Sequence, residues 1–230
     1  MPRARTTQSP HRQTAAASTG SGCLSGFMLP PLAVLLFGIL LTAFVYGQPA
    51  GAGPVEINYT PSSTESGLSP IFTPEVHFWG EKIIEWAAAS GLDPNLAAVV
   101  MQIESCGDPR ARSHAGAMGL FQVMPFHFLS TDSPYDPDTN ALRGLAYLRR
   151  SFEAARGDPR LALAGYNGGI GVIGRAEWAW SAQTKRYVYY GAPIYSDAQQ
   201  GNSSSAMLEE WHKKYGAGLC RQARSRLNLP

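Results

Sequence analysis

The chain has 230 residues, of which 44% are hydrophobic, 16% charged and 10% aromatic. That apolar share excludes a fully disordered polymer, and 24 glycines and 17 prolines without a three-residue period exclude a collagen-like chain. Three cysteines are too few for a disulfide-dense mini-protein, and a formal net charge of +2 argues against a polybasic nucleic-acid binder.

The charge is unevenly spread. Arg3, Arg5 and Arg12 carry all the formal charge before residue 27, which leaves 16 of the 19 Lys+Arg against all 17 Asp+Glu. Residues 1–26 are rich in Ser, Thr, Ala and Gly, a composition that cannot bury a core, and are expected to be disordered. Residues 27–46 then read FMLPPLAVLLFGILLTAFVY without a charge. Twenty helical residues cover about 30 Å, the thickness of a bilayer's hydrocarbon core. The run therefore reads as a single transmembrane signal-anchor, with the arginines inside and everything after residue 47 outside the cytoplasm. Pro30 and Pro31 would trim the helix to about 32–46, and Ala50-Gly51-Ala52 offers a small-residue cleavage site. A cleaved signal peptide and a buried core helix thus stay open as alternatives. Cys23 precedes the run, so it is not a lipoprotein cysteine at its end.

Residues 47–73 resemble 1–26 in composition and are expected to form a flexible tether spanning about 30 Å, with an extended arm packed on the domain as the alternative. From Pro74 the pattern turns helical. Thr73-Pro74 predicts a hydroxyl-capped start, Trp79, Ile83, Ile84, Trp86 and Ala87 recur at helical spacing, and Gly91 predicts the stop. Asp93-Pro94, Asp136-Pro137 and Asp158-Pro159 predict three further starts, the second followed by Leu142, Leu145, Leu148 and Phe152 as an apolar stripe. Another helix is expected around 187–190 and a last amphipathic one over 206–219. No stretch alternates with period two. The expectation is a mainly α domain over 74–200, followed by a C-terminal amphipathic helix and basic tail over 201–230.

Residues 102–125 depart from this helix grammar, reading QIESCGDPRARSHAGAMGLFQVMP. Glu104 falls one helical turn after Val100 and Met101, which sets a carboxyl beside apolar side chains. Desolvation there would favour the protonated form, as a general acid requires. On this residue alone, a solvated glutamate at a helix end is the plainer reading. The glycines at 107, 116 and 119 would permit close backbone approach, as a groove needs.

An ordered series of blocks shifts that balance. Glu104-Ser105 is followed by Ser113, by GAMGLFQVMP over 116–125, by AGYNGG over 164–169 and by TKRYV over 184–188. The series resembles the catalytic domain of soluble-type lytic transglycosylases, relatives of goose-type lysozyme, over residues 76–195. The resemblance implies a lysozyme-like helical fold and cleavage of the MurNAc–GlcNAc β-1,4 bond of peptidoglycan. It implies Glu104 as acid and then base, with Ser113, Phe121, Gln122, Met124, Tyr166, Asn167 and Tyr187 binding substrate. No second acid falls inside the matching blocks, which suits chemistry needing one carboxylate rather than the usual pair. Phe121 stands where methionine is commoner, a ring that could stack on a sugar. Gly165 and Gly168 stand where alanines are usual and would loosen the Tyr-Asn turn. The short stretch 170–183 would reduce the cleft's far wall.

Cys106 and Cys220, both placed outside the membrane, are expected to form a disulfide, with free or intermolecular thiols as the alternative. A Cys106 nucleophile with His114 or His127 as base is a distant rival. His77, His114, His127 and His212 lack metal-pair spacing, and no cofactor is implied. Lys213, Lys214, Arg221, Arg224 and Arg226 form either a solvated basic face or a weak attractor for anionic wall polymers. The function expected is a membrane-anchored lytic transglycosylase acting on peptidoglycan strands. A goose-type hydrolase, a non-catalytic glycan-binding anchor and a component of a secretion or conjugation apparatus are the competing readings. No nucleic-acid partner is expected.

Overall fold

The computed structural model describes residues 67–230, so the expected segments 1–26 and 27–46 and most of the tether lie outside the described residues. Among the described residues no helix is long and apolar enough to cross a membrane. They form helices joined by short 3₁₀ turns, with only two isolated bridges, Arg112 with Met118 and Met118 with Val123. The class is mainly α, as expected.

Three helices begin where Asp-Pro predicts: α3 (Pro94–Glu104), α4 (Pro137–Ala154) and α5 (Pro159–Gly168). In each, the preceding aspartate accepts hydrogen bonds from the first-turn amides, and proline fills a position whose N–H would have no partner. The helix expected from Thr73 instead divides into α1 (Pro74–His77) and α2 (Gly80–Ser90). The chain leaves helical geometry at Trp79, whose indole donates to the Gly107 carbonyl at 2.9 Å. Thr73 does not cap α1 through its side chain; its hydroxyl lies 3.4 Å from Cys106 Sγ. Gly91 ends α2 in the left-handed conformation, φ 63°.

Helix α6 runs Ala182–Gln199, capped by Ser181. Helix α7 (Ala206–Trp211) continues through a π-helical turn (His212–Gly216) into α8 (Ala217–Arg226), so the last helix outruns its expected end at Leu219.

Helix α3 is the core of the domain. From Leu96 to Gln102 every residue is buried, a helix apolar on all sides because α2 and α6 pack round it. The end of the predicted tether joins this core. Ile71 and Phe72 are buried, and the amides of Ser69 and Thr73 donate to Asn95 and Gln102 on α3, so this stretch is the packed arm rather than free linker. Leu142, placed in the α4 stripe, is 60% exposed; the buried face runs through Ala141, Leu145 and Leu148.

The C-terminal helices share the same core through Leu208, Trp211, Cys220 and Ala223. Cys106 and Cys220 are bonded as a disulfide with Cα atoms 5.0 Å apart. The buried Glu75 accepts from Arg224 at 2.7 Å, and the buried Asp108 accepts from Gln222 at 2.6 Å. Two of the tail's cations, Arg224 and Arg226, thus pair with buried acids while remaining exposed themselves.

Gly165 and Gly168 do not loosen a turn. Both lie on α5, and a Cβ would come within 2.2 Å of Ser151 Oγ at the first and 2.7 Å of Thr184 Oγ1 at the second. They let α5 approach α4 and α6 closely, which brings Tyr166 and Asn167 to the face described next.

Candidate active site

Glu104 is the last residue of α3. A helix buried along its length delivers its final side chain into a poorly solvated place, and the helix C-terminus adds partial negative charge. Burial pushes the Glu104 pKa from the ordinary 4.5 up to about 8, so the carboxyl holds its proton at neutral pH. The Tyr187 hydroxyl, on α6, opposes that rise by its closeness. This buried hydroxyl has no geometric hydrogen-bond partner among the described residues.

The segment after Glu104 is tied back beneath it. Ser105 Oγ donates to the Leu120 carbonyl at 2.6 Å and accepts from Gly107 N at 3.1 Å. Asn140, buried on α4, accepts from Phe121 N at 2.9 Å and donates to the carbonyls of Met118 at 2.8 Å and Pro134 at 2.9 Å. Gly119, φ 75°, is required here, because a Cβ would lie 2.3 Å from the Asn140 amide. Every polar group of this buried Asn side chain is used, which holds the 118–122 loop in one place.

Glu104 opens into a cleft of about 190 Å³ shared with Ile103, Asn167 and, from α6, Gln183, Arg186, Tyr187 and Tyr190. Trp211 and Tyr215 complete its wall from the C-terminal helices. The expected thinning of the far wall is therefore met by residues outside the recognised blocks. Glu104 is the one carboxyl among the described residues that line the cleft.

The predicted site residues divide. Tyr187 and Asn167 share the cleft with Glu104. Asn167 Oδ1 accepts from Thr184 Oγ1 at 3.2 Å, which joins two of the sequence blocks. Burial first, and then the neighbouring Glu104, push the Tyr166 pKa up, and its hydroxyl donates to the Phe121 carbonyl at 2.6 Å. Gln122, in the left-handed region at φ 46°, folds its amide back onto the carbonyls of Ala111 and Gly119. Met124 is half-buried at the entry to the Pro125–His127 turn. Ser113 is exposed and its hydroxyl accepts from Ala117 N at 3.0 Å, with no bond to Glu104.

Phe121 is a correction. Its ring is fully buried, edge-on to Trp86 with centroids 6.3 Å apart, so it cannot stack on a sugar; its backbone carbonyl, held by Tyr166, is what it brings to the site. Cys106, bonded to Cys220, has no free thiol for a nucleophile. Sequence reasoning passed over Gln183 and Tyr190, although they flank Tyr187 at four and three residues, the spacing of one helical face. Trp211 and Tyr215 carry no local signal, because they reach the cleft only by tertiary packing.

A helical domain that holds one carboxyl protonated in an aromatic cleft is built for general-acid chemistry. Residues 81–188 match the family model described as the Transglycosylase SLT domain. The transglycosylase of Enterobacteria phage PRD1 is 41% identical over 111 residues, covering 47% of this chain and 40% of that protein. Membrane-bound lytic murein transglycosylase F of Desulfosudis oleivorans is 36% identical over 105 residues, covering 41% of this chain and 23% of that protein. The X-ray structure of an inactive mutant of lytic transglycosylase Slt from Pseudomonas aeruginosa aligns with TM-score 0.41 and 22% identity, covering 68% of this chain and 25% of that one. The chain thus spans less than half the length of these curated relatives.

Proposed function

We propose that this protein is a peptidoglycan lytic transglycosylase that cleaves the MurNAc–GlcNAc β-1,4 bond and leaves a 1,6-anhydroMurNAc end. The observation that carries the reading is a single cleft carboxyl held protonated near pH 8 beside Tyr187. Glu104 gives its proton to the glycosidic oxygen as the C1–O bond breaks, and the GlcNAc unit leaves with a free 4-hydroxyl. The N-acetyl carbonyl of the MurNAc assists that departure. The resulting Glu104 carboxylate removes the proton from the MurNAc 6-hydroxyl, whose oxygen closes on C1, and the acid is restored. One carboxyl serves both steps, so no second acid is required.

In this reading Asn167 and Tyr187 orient the N-acetyl group and the carboxyl. Among the described residues no bond occupies the Asn167 amide nitrogen or the Tyr187 hydroxyl. Tyr166, Gln122 and Ser105 act one step back by holding the 118–122 loop. Met124 and Ser113 stand at the groove's margin. The uncharged run 27–46, preceded by three arginines, would anchor the domain on the outer face of the cytoplasmic membrane. A relative named as membrane-bound supports that placement.

Mass spectrometry of digested sacculi tests the chemistry. The transglycosylase releases muropeptides lighter by one water than a hydrolase would. kcat/KM should fall as pH rises through about 8, where the acid loses its proton. Glu104→Gln should abolish product; wall degradation surviving that change, or a reducing MurNAc end, overturns the reading. Carbonate extraction of membranes tests the anchor, which predicts retention in the pellet.

A further inference from the structure

The wall contributed by Trp211 and Tyr215 lies beyond the residues that match the family model. The π-helical turn shapes it. Gly216 lets the backbone close on Trp211, since a Cβ there would come within 2.4 Å of the indole. Trp211 is buried as the base of the wall, and Tyr215 presents a half-exposed ring above it. The Arg186 guanidinium lies over that ring, 5.2 Å from its centroid, one residue before Tyr187.

Arg186 is exposed, and no acidic side chain pairs with it among the described residues. Glu210, next to Trp211 in the chain but outside the cleft lining, is already taken by Lys214 at 2.7 Å and by the Tyr190 hydroxyl at 3.0 Å. The cleft therefore sets a flat cation, stacked on a tyrosine, next to the unpartnered and buried Tyr187 hydroxyl. A planar guanidinium with its donors unused suits a carboxylate, which it can grip with two parallel bonds.

We infer that Arg186 and Tyr215 form a subsite that reads a carboxylate carried on the 3-position of the sugar bound beside Glu104. The inference rests on the lytic reading for the identity of that sugar. Muramic-type sugars carry an acid there, either the free lactyl group or a carboxylate of an attached peptide; N-acetylglucosamine carries none. Tyr215 packs against the substituent and Arg186 pairs with its charge, so the cleft selects acidic aminosugar polymers over neutral ones.

The test is binding, measured on the full chain carrying Glu104→Gln so that nothing turns over. The ligands are a GlcNAc–MurNAc disaccharide, the same disaccharide with its peptide, and the neutral N-acetylglucosamine dimer. At low salt, at least one acidic ligand should bind about tenfold more tightly than the neutral one, and the preference should shrink as salt is raised. Arg186→Ala should bring the ligands to within about twofold of one another, and Arg186→Glu should invert the order. Preference for the peptide-free acid alone identifies the lactyl carboxylate as the source, preference for the peptide form alone identifies a peptide carboxylate, and preference for both shows that the guanidinium takes the charge from either. Discrimination that survives Arg186→Ala, equal loss of all ligands, or no binding of either acid overturns the subsite. Failure of the lytic reading shows separately, as absence of anhydro product from the unmutated chain.

Discussion

Replacing Glu104 by glutamine should stabilise the protein, and by an amount that grows with pH. A carboxyl with a higher pKa in the folded chain than in the unfolded one keeps its proton longer when folded. The folded state therefore loses ground as pH rises from about 4.5, where the unfolded glutamate titrates, to about 8, where the folded one does. Integrating between those two values gives almost no effect at pH 4, roughly 3 kcal/mol by pH 7 and roughly 5 kcal/mol by pH 9. These are upper figures, since Glu104 is half-buried and water at the cleft mouth screens part of the cost. Glutamine has nearly the same shape and never ionises, so it escapes this penalty. Any fixed cost of its amide is the same at every pH and drops out of the slope. Urea unfolding followed by tryptophan fluorescence, for both proteins at pH 4, 6, 7 and 9, gives the difference curve. All other titrating groups cancel in it. A difference that stays flat from pH 4 to 9 would mean that Glu104 is solvated, and the general-acid argument would go with it.

Two further changes probe the frame that holds the site. Reducing the Cys106–Cys220 bridge, or replacing both cysteines by serine, frees a loop spanning 114 positions. The chain-entropy model gives a loss of about 5 kcal/mol in urea unfolding, and a loss below about 1 kcal/mol would contradict it. Gly165→Ala should cost about 1–3 kcal/mol, because its Cβ meets Ser151 Oγ. Adding Ser151→Ala removes the obstructing oxygen and should recover part of that loss; a neutral Gly165→Ala, or no recovery, would refute the close-packing account.

Much of the fold was legible because its signals are local. At each Asp-Pro start, the capping carboxylate and the amides it serves lie within three residues, so position in the chain suffices. Glu104, Asn167 and Tyr187 were found as members of ordered blocks, and the four-residue step from Val100 already set the carboxyl beside apolar side chains. The rest was decided by partners distant in sequence. The α1–α2 break follows a Trp79 indole bonded to a carbonyl 28 positions on. Gly165 reads as slack until Ser151 of another helix is seen against it, and Phe121 reads as a groove ring until Trp86 closes over it. The cleft's outer wall, Trp211 and Tyr215, is bound to the site through a helix whose cystine lies over a hundred residues from its mate. Hydrogen bonds within one turn are written in neighbouring letters, whereas desolvation of the acid depends on which surfaces meet, and that is settled only when the whole chain packs.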